Sequence, residues 1–201
     1  MSSLDREPRR LHDPSVLKAI SHPLRVRILH ELTTVSGARA SDLAREIGVQ
    51  ANLVSFHLRQ LAKYGLVEEA PELARDKRER VWRVSSTAGI STSLSAVANE
   101  PGGEAAIQVW KRESAAWAHM VIDHAYAQDV HSPDIYSISD VPMRLTTTQA
   151  RELATEITAL LRRWVHRGAQ VDQKAVKEEP RKTYLALTVL QPYPHQRNLP
   201  K

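Results

Sequence analysis

A short helix, a glycine, a second helix and another glycine follow one another between residues 40 and 66. This arrangement constrains the fold more than any other part of the sequence. Apolar residues recur in each segment every three or four positions, which predicts one buried face per helix. Gly48 and Gly65 stand where helices commonly end, in the left-handed conformation that glycine adopts most easily. Two helices joined by so short a turn must lock together, with Leu43 and Ile47 of the first against the apolar stripe of the second.

The second helix, residues 50–64, has two chemically different faces. Its inward stripe is Val54, Leu58 and Leu61. The opposite face contains Asn52, Phe56, Arg59, Gln60 and Lys63, and Ser55 flanks it. No carboxylate occurs between Gly48 and Val67, although the chain has 23 acidic residues. A cationic, acid-free helix face is suited to lie against phosphate, and the major groove of DNA admits one helix, where Asn and Gln can pair with adenine and Arg with guanine.

A basic hairpin follows directly. The segments LVEEA and RVWRVS predict two strands, and the loop PELARDKRE joins them. Arg75, Lys77, Arg78 and Arg80 lie near the tip of this hairpin. A basic hairpin beside a basic helix would reach the phosphate backbone or the adjacent minor groove.

Composition bounds the remaining possibilities. The chain has 201 residues, of which 42% are hydrophobic and 25% charged, which is globular composition. It contains no cysteine, so disulfides, thiolate metal sites and a catalytic cysteine are excluded. Its net charge is +5, and residues 1–90 hold 15 Lys and Arg against 11 Asp and Glu. The absence of a membrane-length apolar run and of a signal peptide predicts a cytoplasmic protein with no membrane partner.

The sequence divides into four parts. Residues 1–13 are predicted to be a loose arm, residues 14–86 a first domain, residues 87–103 a linker rich in small residues, and residues 104–201 a second domain. In the first domain, Pro14 and Pro23 suit the first turns of two helices, and residues 35–39 are predicted to be a loop. The second domain reads as helix, strand, helix, strand, with strands in DIYSISDVPMRL and TYLALTVLQPYP and a capping box formed by Thr146 and Gln149. Two strands alone make a poor sheet, so this half is expected to complete itself against its long helix or another copy of the chain. The fold class predicted is mainly α with a small β component.

Three segments together carry a family resemblance. LKAISHPLRVRILHEL, ASDLAREIGVQANLVSFHLRQLAKYGLVEE and RERVWRVS resemble the winged helix-turn-helix of ArsR-type bacterial transcriptional regulators, over residues 13–86. The resemblance implies that residues 50–64 are the recognition helix and residues 70–80 the wing. It places Asn52, Ser55, Phe56, His57 and Arg59 toward base edges and the basic wing residues on phosphate. The predicted DNA-binding set is Gln50, Asn52, Ser55, Phe56, His57, Arg59, Gln60, Lys63, Arg75, Lys77, Arg78 and Arg80.

The resemblance further implies a homodimeric regulator, most often a repressor, that binds a near-palindromic operator in double-stranded DNA. The chain departs from the family pattern in two respects. It lacks the cysteine pair that arsenic- and cadmium-sensing members place near residues 40–47, and it is about twice the length of a minimal member. The controlling signal at the C-terminal region is therefore unknown, and a small-molecule effector is one possibility.

Two further groups in the second domain are candidates for binding. Trp110, Trp117, Val121, Tyr136, Trp164 and Tyr184 could form a dimer contact or line an effector pocket; ordinary core and dimer packing is the simpler interpretation. His119 and Asp123 lie one helical turn apart, and His124 follows, so a His/Asp metal-sensing repressor is an alternative. The simpler interpretation here is a surface His–Asp pair, and no cofactor is expected.

The sequence also bears on two other classes of function. An enzyme is not expected, because the sequence has no glycine-rich phosphate loop, nucleophile elbow or zinc-binding His–Glu motif. A winged-helix module for protein interaction, or for nucleic-acid binding without sequence preference, remains an alternative that equal affinity for unrelated DNA sequences would favour.

Overall fold

The computed structural model describes residues 9–10, 13–76, 78–86, 90–91, 93–129, 131–132, 134–169 and 181–193. The fold is mostly helical with a small antiparallel sheet, consistent with a winged helix-turn-helix, and this confirms the predicted α+β class. The elements, in chain order, are β1 (Arg9–Arg10), α1 (Pro14–Ile20), α2 (Pro23–Thr33), β2 (Ala38–Arg39), α3 (Ala40–Ile47), α4 (Ala51–Lys63), β3 (Val67–Glu69), a 3₁₀ turn (Pro71–Leu73), β4 (Val81–Val84), β5 (Ile90–Ser91), α5 (Leu94–Ala98), α6 (Gly103–Tyr126) and α7 (Thr147–Ala169).

Helices α1 and α2 both begin at the proline that the sequence indicated. Proline suits a first helical position because its missing N–H would have no intrahelical partner there. The Asp13 carboxylate accepts the Ser15 N–H at 2.8 Å. Hydrogen bonds from the side chain and the backbone of Ser15 lower the pKa of Asp13. At α2, the Nδ1 atom of His22 accepts the Leu24 N–H at 3.2 Å. Each helix start is therefore set by local chemistry.

The turn between α3 and α4 forms as predicted. Gly48 has φ of 79°, and its N–H donates to the Ala44 carbonyl at 2.9 Å, which ends α3. Helix α4 then begins after three residues, and its side chains Val54, Leu58 and Leu61 are fully buried. The predicted stripe is thus the inner face of α4.

The small sheet has the order β2-β4-β3, and both pairings are antiparallel. The predicted hairpin of β3 and β4 is confirmed. Strand β2 lies in the stretch that was predicted to be a loop, where it pairs with Val81 and Trp82 of β4. That prediction was wrong because two residues are too few to show the alternation that marks a strand.

The segments before and after this unit are also structured in part. Strand β1 pairs in parallel with β5, with Arg9 opposite Ile90, which brings the predicted arm and linker side by side. Helix α5 lies within the predicted linker, and its Val97 is fully buried.

Two apolar cores hold the chain together. The larger lies among α1 to α4 and the sheet, and Trp82 of β4 closes it. The smaller contains Leu17 of α1, Val97 of α5, and Ala106 and Ile107 of α6. The smaller core is what attaches the long helix α6 to the first half. No helix in the described parts of the chain is long and apolar enough to cross a membrane.

The second half departs from its prediction in one respect. Helix α7 has the predicted capping box, since the Gln149 N–H donates to Thr146 Oγ1 at 3.2 Å and the Thr146 N–H donates to Gln149 Oε1 at 2.9 Å. Its described residues run to Ala169. The two segments predicted to be strands, residues 134–145 and 183–194, form no strand over their described residues, 134–145 and 183–193. Alternation favours an extended chain, but a strand needs a hydrogen-bonded neighbour, and these described segments have none.

These two extended segments nevertheless start side by side. Lys182 forms an ion pair with Asp134, and the Arg181 guanidinium donates to the Gly168 carbonyl at the end of α7. The start of the first extended segment, the end of α7 and the start of the second extended segment therefore lie close together. That course is the one expected of two parallel strands joined by a helix, without the strand pairing.

Candidate nucleic-acid interface

The buried stripe of α4 determines which of its side chains face outward. Asn52, Arg59 and Lys63 are exposed, and so is Gln50 at the start of the helix. The Phe56 side chain is 49% exposed. Ser55 and Gln60 are half-buried at the edges of this face. Of the eight residues predicted to face DNA from Gln50 to Lys63, seven therefore lie on the outer face or at its edge. The exception is His57.

The His57 side chain is buried, so it does not lie on the outer face. Its imidazole ring lies 4.6 Å from that of His22 and 5.3 Å from the Phe56 ring, measured between centroids. Burial lowers the pKa of His57, with a smaller contribution from the nearby His22 and Arg25, which favours the neutral ring. His57 lies three residues after Val54 and four before Leu61, so it shares their face of the helix, and this spacing explains why it turns inward. We therefore leave His57 out of the interface.

The N-terminus of α4 is free of acidic side chains. Gln50 occupies the cap position without a side-chain cap, and the first turn contains no carboxylate. Asn52 Oδ1 accepts the Leu53 N–H at 2.8 Å. The first-turn N–H groups give a helix N-terminus a partial positive charge, which favours a phosphate nearby.

Cations on α4 and on the hairpin differ in whether a carboxylate neutralises them. Among the described residues, Arg59 and Lys63 of α4 and Arg75 and Arg78 of the hairpin loop form no ion pair. Arg80, by contrast, lies 3.1 Å from a Glu69 oxygen. Lys77 falls outside the described residues. Four of the predicted cations are therefore available to a polyanion, and Arg80 is shared with Glu69.

Two acidic residues of the hairpin loop, Asp76 and Glu79, are engaged by its own backbone. Asp76 Oδ1 accepts the N–H groups of Arg78 and Glu79 at 2.7 and 3.1 Å, and Glu79 Oε2 accepts the Arg75 N–H at 2.6 Å. These bonds shape the turn. They also direct the carboxylates toward the backbone, so the exposed guanidinium groups of Arg75 and Arg78 dominate the tip.

Arg39 is a structural residue that sequence reasoning did not identify. Its Nε and Nη2 atoms donate to the two Asp42 carboxylate oxygens at 2.6 and 2.8 Å, and its Nη1 donates to Glu79 Oε1 at 2.9 Å. The Arg39 hydrogen bonds lower the pKa of Asp42. Arg39 thereby ties the start of α3 to the hairpin loop. The spacing of Arg39 and Asp42 could have indicated their pairing, but nothing in the sequence pointed to Glu79.

The structure separates the aromatic residues that were grouped in the second half. Trp110 and Trp117 lie on one face of α6 and line a cavity against α2. Trp164 is 60% exposed on α7 beneath the Arg167 guanidinium, and Tyr136, Tyr184 and the half-buried Val121 do not line that cavity. One predicted group therefore divides into two tryptophans at a cavity and four residues elsewhere.

The metal-site candidates are exposed on α6. His119 and Asp123 lie one helical turn apart, and the His124 ring contacts the Gln128 side chain at 2.9 Å. The described part of the chain contains no group of three or more His, Asp or Glu side chains that could hold a metal ion.

Comparisons with known proteins concern the same region. Residues 20–70 match the family model described as a helix-turn-helix domain, which covers α2 to α4 and β3. One relative is the HTH-type transcriptional regulator YgaV of Escherichia coli strain K12, to which the chain is 36% identical over 61 residues. These residues cover 30% of this chain and 62% of the relative. The chain thus spans about three fifths of the length of the curated relative it matches. Together the two matches support a helix-turn-helix transcription regulator.

Proposed function

We propose that this chain is a sequence-specific, DNA-binding transcription regulator of the ArsR type. In this proposal it acts as a homodimeric repressor whose DNA affinity depends on a signal received in its second half. The observation that carries the proposal is the outer face of α4, which is acid-free and exposed. It ends in Arg59 and Lys63, two cations without a carboxylate partner among the described residues. The similarity to a helix-turn-helix domain and to a named transcriptional regulator supports it.

Helix α4 lies in the major groove in this proposal. Asn52 and Gln60 suit adenine, Arg59 suits guanine, and the exposed Phe56 ring suits a thymine methyl group. The hairpin is the wing, and Arg75 and Arg78, together with Lys77, neutralise backbone phosphates. Arg39 ties the wing to α3, and α3 packs on α4. The wing and α4 therefore approach DNA as one unit in this proposal.

Replacing Arg59 by alanine is expected to reduce specific DNA affinity by about 1–3 kcal/mol, because a bidentate contact to guanine is lost. The ligand is the sequence that wild-type protein selects from a random duplex pool, with a scrambled duplex for comparison. Fluorescence anisotropy measures both affinities at several salt concentrations. The loss on the scrambled duplex should be smaller. Arg78→Ala should instead weaken binding to both duplexes equally. It should also reduce the slope of log affinity against log salt concentration by about 0.9.

Arg112→Ala is the matched control, because it removes the same charge from an exposed position on α6. It should leave both affinities unchanged. A wild-type protein whose DNA affinity does not respond to salt would contradict the proposal. Equal affinity for the selected and scrambled duplexes would favour a nucleic-acid module without sequence preference.

Exposed apolar surface in the second half supports the homodimer. The extended segments within 135–146 and 181–193 expose Ile138, Val141, Val189 and other large apolar side chains, and within the described parts of the chain their backbone has no strand partner. Such unpaired edges are templates for pairing with another chain. Antiparallel pairing of one segment with its own copy about a two-fold axis gives a closed dimer. Two recognition helices could then reach half-sites about 34 Å apart.

We expect the protein to sediment at twice the 22.6 kDa mass of one chain. Val189→Glu should raise the dimer dissociation constant by about tenfold or more, because the interface would bury an unpaired charge. Sedimentation velocity over a range of protein concentrations measures this constant. Val35→Glu, at a similarly exposed valine in the first half, should leave it unchanged. A wild-type monomer at all concentrations, or a Val189→Glu variant that dimerises normally, would rule out this interface.

A further inference from the structure

A cavity of about 550 Å³ lies between the first half of the chain and α6. Its walls come from the end of α1, from α2, from the chain just after α4, from the end of β4 and the residues after it, from α6, and from Leu187 of the C-terminal segment. Pockets for small molecules have volumes of about 300–1,000 Å³ and occur preferentially where two structural units meet. The cavity meets both conditions.

The shape of the cavity follows from the sequence of α6. Trp110 and Trp117 are seven residues apart, so their positions along the helix differ by about 10 Å. Between and beside them stand the small residues Ser114, Ala115 and Ala118, which leave the space open. The Trp117 indole is held by an edge contact with the His30 ring, at 5.5 Å between centroids. Two indoles that border an open space between small side chains suit a flat aromatic molecule, which can stack on them.

The chemistry of the lining indicates an uncharged ligand. Among the described residues, no Asp, Glu, Lys or Arg side chain lines the cavity. Burial is the main cause that lowers the pKa of His30, which favours its neutral ring. The lining also includes Ser85 and Ser86, and the buried Ser86 hydroxyl has no hydrogen-bond partner among the described residues. A buried charge without a partner is costly, whereas one or two polar groups of a neutral ligand could bond to His30 or a serine.

A second copy of the chain is a poorer fit to this space. The chain already walls one side of the cavity with its own Leu187, and Thr183 anchors that segment by donating to the buried Glu31 carboxylate at 2.9 Å. A packed helix lies about 8–10 Å from its neighbour and needs a groove along its length. The cavity instead has the limited volume of a small molecule.

The lining also includes the residues through which a ligand could influence DNA binding. Gly65 and Leu66 come just after Tyr64, the residue that caps the end of α4, and Val84 to Ser86 lie where β4 leaves the wing. Helix α2, which provides another wall, packs on α4 from behind. A molecule in the cavity would therefore touch the end of the recognition helix and the base of the wing together.

We propose that this cavity binds a neutral, flat aromatic molecule with one or two hydrogen-bonding groups, and that its occupancy changes DNA affinity. The second part rests on the proposed function, and the first does not.

The first test uses the full chain without DNA and the neutral fluorophore N-phenyl-1-naphthylamine. We expect saturable binding of one probe per chain, with quenching of tryptophan emission. The sulfonated counterpart 8-anilino-1-naphthalenesulfonate has the same rings and a negative charge, and it should bind about tenfold more weakly or worse, because the lining offers no cation.

Ala118→Phe fills the cavity and should weaken binding of the neutral probe by about tenfold or more, whereas Ala116→Phe, at an exposed position of α6, should not. Ser114→Leu fills the same space more gently and should act in the same direction, which covers the case in which Ala118→Phe does not fold. Unsaturable binding to wild-type protein, or unchanged binding to folded cavity-filling variants, would overturn the site.

A second experiment uses the selected duplex to test whether the bound probe changes DNA affinity. A protein that binds this duplex with the same affinity, whether or not the probe is bound, would overturn that part of the proposal alone. Failure to bind DNA would refute the proposed function and the control part together, and leave the ligand site standing on the probe data.

Discussion

Replacing Leu58 by alanine is expected to lower the free energy of unfolding by about 2–5 kcal/mol, because this side chain is fully buried and its loss leaves a cavity. Leu58 lies at the centre of the α4 stripe that faces α3 and the sheet. Urea unfolding followed by circular dichroism measures the change. A loss of this size would be a large part of the total stability of a small domain.

Leu53→Ala is the matched control on the same helix. The Leu53 side chain is 42% exposed, so its removal should cost well under the Leu58 value, within about 1 kcal/mol. This comparison tests the rotation of α4 about its axis. Equal losses at the two leucines, or a larger loss at Leu53, would mean that the proposed DNA-reading face is turned toward the protein.

Replacing Gly103 by alanine is expected to destabilise the protein by about 1–3 kcal/mol or more, since overpacking against backbone has few routes of relief. A Cβ atom at this position would lie 1.7 Å from the Val97 carbonyl oxygen and 2.8 Å from its carbon. Helix α6 would have to move away from α5 and would open the small core that attaches it to Leu17 of α1. Thermal unfolding monitored at a helical wavelength measures the loss.

The same substitution at Gly168 should have the opposite sign. Among the residues that the structure describes, a Cβ atom there would meet only the Arg181 guanidinium, at an ordinary 3.6 Å. Alanine also favours a helix over glycine by up to about 1 kcal/mol. If Gly103→Ala were as well tolerated as Gly168→Ala, the close approach of α5 to the start of α6 would not exist in solution.

Much of the first half could be predicted because its signals are local. The prolines that open α1 and α2, the glycine that ends α3 and the apolar stripe of α4 each act within a few residues. The acid-free face of α4 could likewise be read from the sequence, since burial of one stripe determines what the other side presents. His57 was misplaced because a position at the edge of a stripe turns inward or outward according to its neighbour, and His22 is distant in sequence.

The rest of the fold depends on contacts between distant residues. Strand β2 exists only because β4 passes beside it, and Arg39 acquires its role only when Glu79 is brought near. The strands expected in the second half failed for the opposite reason. Their sequence alternates as a strand does, but the described residues place no neighbouring strand beside them. The aromatic group was divided for a similar reason. Trp110 and Trp117 share one helix face, whereas Trp164 and Tyr184 depend on how α7 and the last segment return.

The hydrogen bond between Thr183 and Glu31 joins residues that are 152 positions apart. On the ribosome, the larger core can therefore form from residues before 85 while the C-terminal segment is still being made. During that interval the buried Glu31 has only its partner Arg27, and the space beside Trp117 lacks the wall that Leu187 provides. A nascent or prematurely ended chain would thus possess a finished α4 and an unfinished cavity. Such a product would present the proposed DNA-reading face but would lack both one wall of the proposed ligand site and one segment of the proposed dimer contact.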